Sequence, residues 1–163
     1  MNKFIGILEK IQIFLGSIAL ISFFIAIVVQ IITRYIGISV TWTEEVANYS
    51  FIWAVFMGAA VMLNRREHFA FDTLLNKLSP RKHTILKTFI DILLIIFNAF
   101  ITYYGFLILN HFWDYRWETL PELKMGYVWI IIPIMSISMI LYSLNHIFND
   151  RDSNTEIDIE EGF

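Results

Sequence analysis

The sequence predicts an all-α integral membrane protein: four transmembrane helices with short amphipathic interfacial helices, and both termini in the cytoplasm. Three observations carry that expectation. Hydrophobic residues fill 57% of the 163 positions and aromatic ones 17%, with a mean hydropathy of +0.61, well above what a soluble domain carries. The few charges leave four uncharged windows, each long enough for the roughly 20 helical residues that cross a bilayer. Lys and Arg, finally, are unevenly shared among the segments between those windows.

The first window, 11–33, exceeds the apolar core of a secretory signal and no small-residue cleavage pattern follows it, so it is expected to stay attached. Ala19, Ser22, Ala26, Gln30 and Thr33 recur at helical spacing. Lipid gives helices no hydrophobic reason to associate, so such small and polar stripes mark faces turned toward protein. Upstream, Phe4, Ile7, Leu8 and Ile11 fall at i, i+3, i+4 and i+7, the pattern of a helix lying in the interface.

The second window, 46–64, is preceded by Glu44 and Glu45. Carboxylates suit a helix start, where backbone N–H groups lack partners and the dipole is positive. Thr41 to Glu44 reads as a capping box, and Trp42 as an interfacial tryptophan. Arg34 at the end of the first helix is placed to pair with Glu44 or Glu45 and pin the hairpin. Ala47, Ser50, Ala54 and Gly58 form the packing stripe here, with Trp53 and Ala59 beside it. Arg65, Arg66 and His68 follow at the cytoplasmic interface. Phe71, Leu74, Leu75 and Leu78 then predict a second interfacial helix over about 69–79, stopped by Pro80, with Lys77, Arg81 and Lys82 near anionic headgroups.

The third window, 92–113, carries Asn98, Thr102 and Gly105 in line with Asp91. An acid at a membrane helix is a functional suspect, but Lys87 stands four residues earlier and predicts a simple ion pair. The aromatic loop from Trp113 to Trp129 suits an interfacial belt. The fourth window, 125–149, has the weakest stripe, Ser136 and Ser143 beside Pro133, and an acidic, solvated cytoplasmic tail is expected over 150–163.

Orientation follows from the twelve basic residues. Arg34, Arg116 and Lys124 fall on one side and the remainder, dominated by the segment between helices 2 and 3, on the other. Cytoplasmic loops keep the basic excess, which places both termini inside.

The sequence points away from catalysis. Zero cysteines exclude disulfides and thiolate-held clusters. His111 and His146 fall at opposite depths, so they cannot share a haem, and no nucleophile, base and orienting group converge. No metal, cofactor or nucleic acid is expected. A stand-alone carrier or channel with Asp91, Asn98 and Thr102 lining a polar path is one alternative; a haem- or quinone-linked anchor is a weaker one.

Arg34 and Tyr35, the WTEE run at 42–45, Trp53, the FMGAA run at 56–60, and Arg65, Arg66 and His68 together resemble the small membrane subunit of a TRAP transporter, the tripartite ATP-independent periplasmic class. The resemblance is detailed over helices 1 and 2 and rests on size and layout beyond them. It implies a scaffold in the bacterial inner membrane within a sodium-coupled importer of organic acid anions, of the sialic acid or C4-dicarboxylate class. It further implies a large membrane subunit that binds substrate and sodium, and a periplasmic solute-binding protein.

Overall fold

The computed structural model describes residues 2–38, 40–66 and 80–160. They form helices α1 (Asn2–Tyr35), α2 (Trp42–Asn64), α3 (Pro80–Phe112), the short α4 (Gly126–Trp129) and α5 (Ile131–Glu160). Four stretches are long and apolar enough to cross a membrane: Lys3–Tyr35, Trp42–Asn64, Thr84–Phe112 and Gly126–Asn149. The predicted all-α class with four spans is therefore the observed one.

Several ends differ from expectation. The amphipathic stretch Phe4 to Ile11 is not a separate helix but the first turns of α1, because no Gly–Pro signal or cap intervenes to stop helix propagation. Pro80 begins α3, where a residue without an N–H loses no bond. The backbone stays helical to Glu160, with no Pro or Gly between Pro133 and Gly162. Glu67 to Ser79, with His68 and the amphipathic segment over 69–79, lies outside the described residues.

The helices pack neighbour to neighbour in the order α1, α2, α5, α3. α1 runs along α2, α2 along α5, and α5 along α3; α1 also touches α5 directly, through the Gln12–Tyr142 hydrogen bond among others. Burial follows this order. Only 6% of the most apolar stretch of α1 is buried, against 50% for the span that contains α5. The helix with the weakest small-residue stripe is thus the central one. Its Ile131, Ser136, Tyr142 and Ser143 are fully covered, and Met135, Met139 and Tyr142 form a core with Ile5, Ala60 and Leu63.

The α1 and α3 stripes are where the sequence places them. Ala26, Asp91, Asn98 and Gly105 are buried, and Ala19, Ser22, Gln30, Thr33 and Thr102 are half-buried. Thr102 Oγ1 donates to the backbone carbonyl of Asn98 (2.8 Å) and lies 2.7 Å from Ser136 Oγ, joining α3 to α5 at mid-depth. Pro133 cannot donate to the carbonyl of Trp129, which accounts for the break at Ile130 between α4 and α5. The same proline packs where α3 comes closest. A Cβ on Gly105 would lie 2.9 Å from Ile132 Cγ2 and 3.4 Å from Pro133 Cδ. Gly105→Val is therefore expected to destabilise the protein by about 1–3 kcal/mol through overpacking, read as a lowered midpoint of thermal unfolding in detergent.

α1 ends in a Schellman turn. Gly37 takes φ +80, its N–H bonds to Arg34 O (3.2 Å), and Ile38 N–H bonds to Thr33 O (2.9 Å). This left-handed glycine turns the chain into the connection that enters α2.

Candidate functional site

Polar side chains gather at the two ends of the helix layer. At one end, Glu45 in the first turn of α2 reaches the loop between α3 and α4. It accepts hydrogen bonds from the backbone N–H of Glu118 and of Thr119, each 2.8 Å, and from the Thr119 hydroxyl. That loop is itself ordered. Arg116 and Lys124 form an antiparallel bridge, Met125 N–H bonds to Tyr115 O (2.8 Å), and Lys124 Nζ sits 2.7 Å from Asp114 Oδ1. Lys124 holds the exposed Asp114 carboxyl below its ordinary pKa, through its hydrogen bond and its charge. The Tyr49 ring meets Trp117 edge-on at 4.5 Å, and Trp53 Nε1 donates to Tyr127 O (3.2 Å). α2 is thereby fixed to the loop through Glu45 and Tyr49 and to α4 through Trp53.

The capping box does not form. Thr41 has helical dihedrals (φ −85, ψ −31) and makes no side-chain cap bond, whereas a capping hydroxyl reaches the helix N–H groups from an extended backbone. Thr43 Oγ1 instead donates to Val40 O (3.0 Å). Nor does Arg34 pair with either acid. Arg34, Thr41, Glu44 and Glu45 share the wall of one open pocket of about 780 Å³, together with Asn48 and Thr119. The structure brings the predicted residues together, yet the tie runs from Glu45 across to the loop, not back to α1. Trp42 stays exposed, as expected of an interfacial tryptophan.

At the other end, a polar chain crosses all four spans. Glu9 on α1 accepts from Asn64 Nδ2 and from Arg65 Nε, both 2.7 Å. The carbonyl of Asn64 accepts from His146 Nε2 on α5 (2.9 Å). His146 Nδ1 then faces Asp91 Oδ1 on α3 at 3.5 Å, and Asp91 Oδ2 meets Arg66 Nη2 at 3.5 Å. Arg66 sits just past α2 with φ +57, a conformation rare outside glycine, in position to meet α3.

Asp91 is 6% exposed, and its partners come from α5 and from the end of α2. The predicted Lys87 pair is not made. Side chains four apart meet along the helix surface, but Asp91 turns into the layer while Lys87 stays at its margin. Sequence reasoning found Arg65, Arg66 and Asp91 but missed Glu9, Asn64 and His146 as their partners. Glu9 is the sole acid before Glu44, and that isolation was the one available signal.

The residues expected to pack between helices divide. Ser50, Trp53, Ala54 and Ala59 are half-buried, while Gly58 is exposed and a Cβ there would meet nothing within 4 Å.

Four membrane-length apolar helices, with polar bonds gathered at both ends and broad apolar sides between, define a multi-pass helical membrane protein. The chain belongs to the DctQ component family of the tripartite ATP-independent periplasmic transporters, whose profile matches residues 23–152. It is 38% identical over 75 residues to a TRAP transporter small permease protein of Haemophilus influenzae, a match covering 44% of this chain and 45% of that one. It is 23% identical over 133 residues to the sialic acid TRAP transporter permease protein SiaT of Haemophilus influenzae, covering 81% of this chain and 21% of the relative. It is 26% identical over 135 residues to the isethionate TRAP transporter permease protein DctMQ of Oleidesulfovibrio alaskensis, covering 77% and 21%. The chain thus spans less than half the length of the first relative and a small part of the other two.

Proposed function

We propose that this chain is the scaffold subunit of a sodium-coupled importer of an organic acid anion in the bacterial inner membrane. A large membrane subunit binds substrate and sodium, and a periplasmic binding protein delivers the solute. Both termini lie in the cytoplasm, so the Glu45 end faces the periplasm and the Asp91 end the cytoplasm.

The family match over residues 23–152 carries this reading, and two permease relatives align with this chain over 21% of their own length. The fate of the polar residues supports it. Asp91 is engaged by Arg66 and His146, and Thr102 by Ser136, which disfavours a path through this chain lined by Asp91, Asn98 and Thr102. Sialic acid, isethionate and C4-dicarboxylates are the first substrates to test.

The test is reconstitution in vesicles under an inward sodium gradient. The chain alone is expected to accumulate none of these anions, and the chain with its large subunit and binding protein to accumulate one. Omitting this chain is expected to reduce the recovery of the large subunit from membranes. Accumulation by the chain alone would overturn the scaffold reading in favour of a stand-alone carrier.

A further inference from the structure

His146, in the last turn of the fourth span, has an oxygen facing each of its ring nitrogens. Nε2 lies 2.9 Å from the carbonyl oxygen of Asn64 on α2, and Nδ1 lies 3.5 Å from Asp91 Oδ1 on α3. A carbonyl oxygen only accepts, so Nε2 carries a hydrogen. A neutral imidazole has one N–H to give. With that one directed at Asn64, Nδ1 presents a lone pair to a carboxylate oxygen.

Water does not relieve the contact. Nδ1 is sealed from solvent and has no hydrogen-bond partner, and Asp91 and His146 are only 6% and 9% exposed. Two lone pairs facing each other in such a place are destabilising, whereas a single proton between them turns the contact into an attraction. Arg66 Nη2, 3.5 Å from Asp91 Oδ2, supplies the counter-charge of an ionised carboxylate, which assigns the proton to the ring. His146 is then an imidazolium with both N–H groups directed at acceptors.

The charged groups that surround the ring from the other helices are matched with one another. Glu9 of α1 is held by Arg65 and Asn64 at the end of α2, and Asp91 of α3 meets Arg66. On α5 itself, the Tyr142 hydroxyl bonds to Gln12. The proton on His146 therefore adds a charge that only Asp91 faces directly. Further along, Thr102 meets Ser136 and Gly105 packs on Pro133, so α3 and α5 stay joined when this end loosens.

We propose that His146 and Asp91 form a proton-operated latch between α5 and α3. With a proton on Nδ1 the ring clasps Asn64 of α2 and Asp91 of α3 together. Without it, the bare nitrogen faces the carboxylate and the end of α3 is released. The clasp is present at low pH and is lost as pH rises. On the orientation proposed above, this end meets the cytoplasm, and the latch responds to the pH there.

The test uses the full chain in nanodiscs, where both faces meet one pH. In nitrogen NMR spectra of the histidine-labelled chain, with His146 assigned by difference from His146→Gln, both ring nitrogens are expected to carry a proton at about pH 5.5 and Nε2 alone at about pH 8.5, on either side of the ordinary histidine range. Over the same interval the thermal midpoint is expected to fall by about 3 °C more than that of His146→Gln, whose amide does not titrate. Asp91→Asn offers an amide N–H to the bare nitrogen, so its ring is expected to keep one proton throughout. An unchanged ring at both pH values, or an equal fall of the midpoint in His146→Gln, would overturn the latch. Neither outcome depends on the scaffold reading or on the orientation, which decide only whose pH the latch meets.

Discussion

Asp91→Ala is expected to destabilise the protein by about 1–3 kcal/mol, because the acid is buried while its Arg66 partner is 31% exposed, and to lower its thermal midpoint in nanodiscs. The carboxylate stands between Arg66 and His146 at 3.5 Å from each. Its loss removes this carboxylate from Arg66 and weakens the hold of α3 on the end of α2. Asp91→Asn keeps the shape and part of the hydrogen-bonding capacity and is expected to cost less. Lys87→Ala should change stability by no more than about 0.5 kcal/mol. Equal losses from Lys87→Ala and Asp91→Ala would restore the simple pair along α3 that the sequence suggests.

Glu45→Ala is expected to free the loop between α3 and α4. Three donors converge on this carboxylate, and hydrogen bonds to a charged group contribute about 1.5–3 kcal/mol each at most, less where water can replace them. A net loss of about 2 kcal/mol would raise hydrogen exchange at the amides of Glu118 and Thr119 by roughly 30-fold, if they exchange by local opening. Glu44→Ala is the control, since Glu44 holds no bond among the described residues, and should leave those amides unchanged. Equal protection in both variants would show that the loop is held by the ring contact between Tyr49 and Trp117 instead.

The paired acids show how far sequence could reach. Their placement at the start of α2 was legible, because helix dipoles and unpaired N–H groups act over one turn. Glu45's partner was not, because Thr119 lies 74 residues away and only the return of the chain through α3 brings it close. The capping box failed on backbone dihedrals, which residue identity at Thr41 does not determine.

The α3 stripe was legible for a different reason. Asp91, Asn98 and Gly105 would be costly or pointless against lipid, so their line had to face inward. The central position of α5 was hidden, since Ile131, Met135 and Met139 would suit lipid as well as they suit neighbouring helices. The engagement of Glu9 with Asn64 and Arg65 depends on α1 running unbroken from Asn2, a continuity masked by the amphipathic pattern of its first turns.

The Gln12–Tyr142 hydrogen bond ties α1 directly to α5, so a shift of α1 at that level would be passed to α5 as well as to α2.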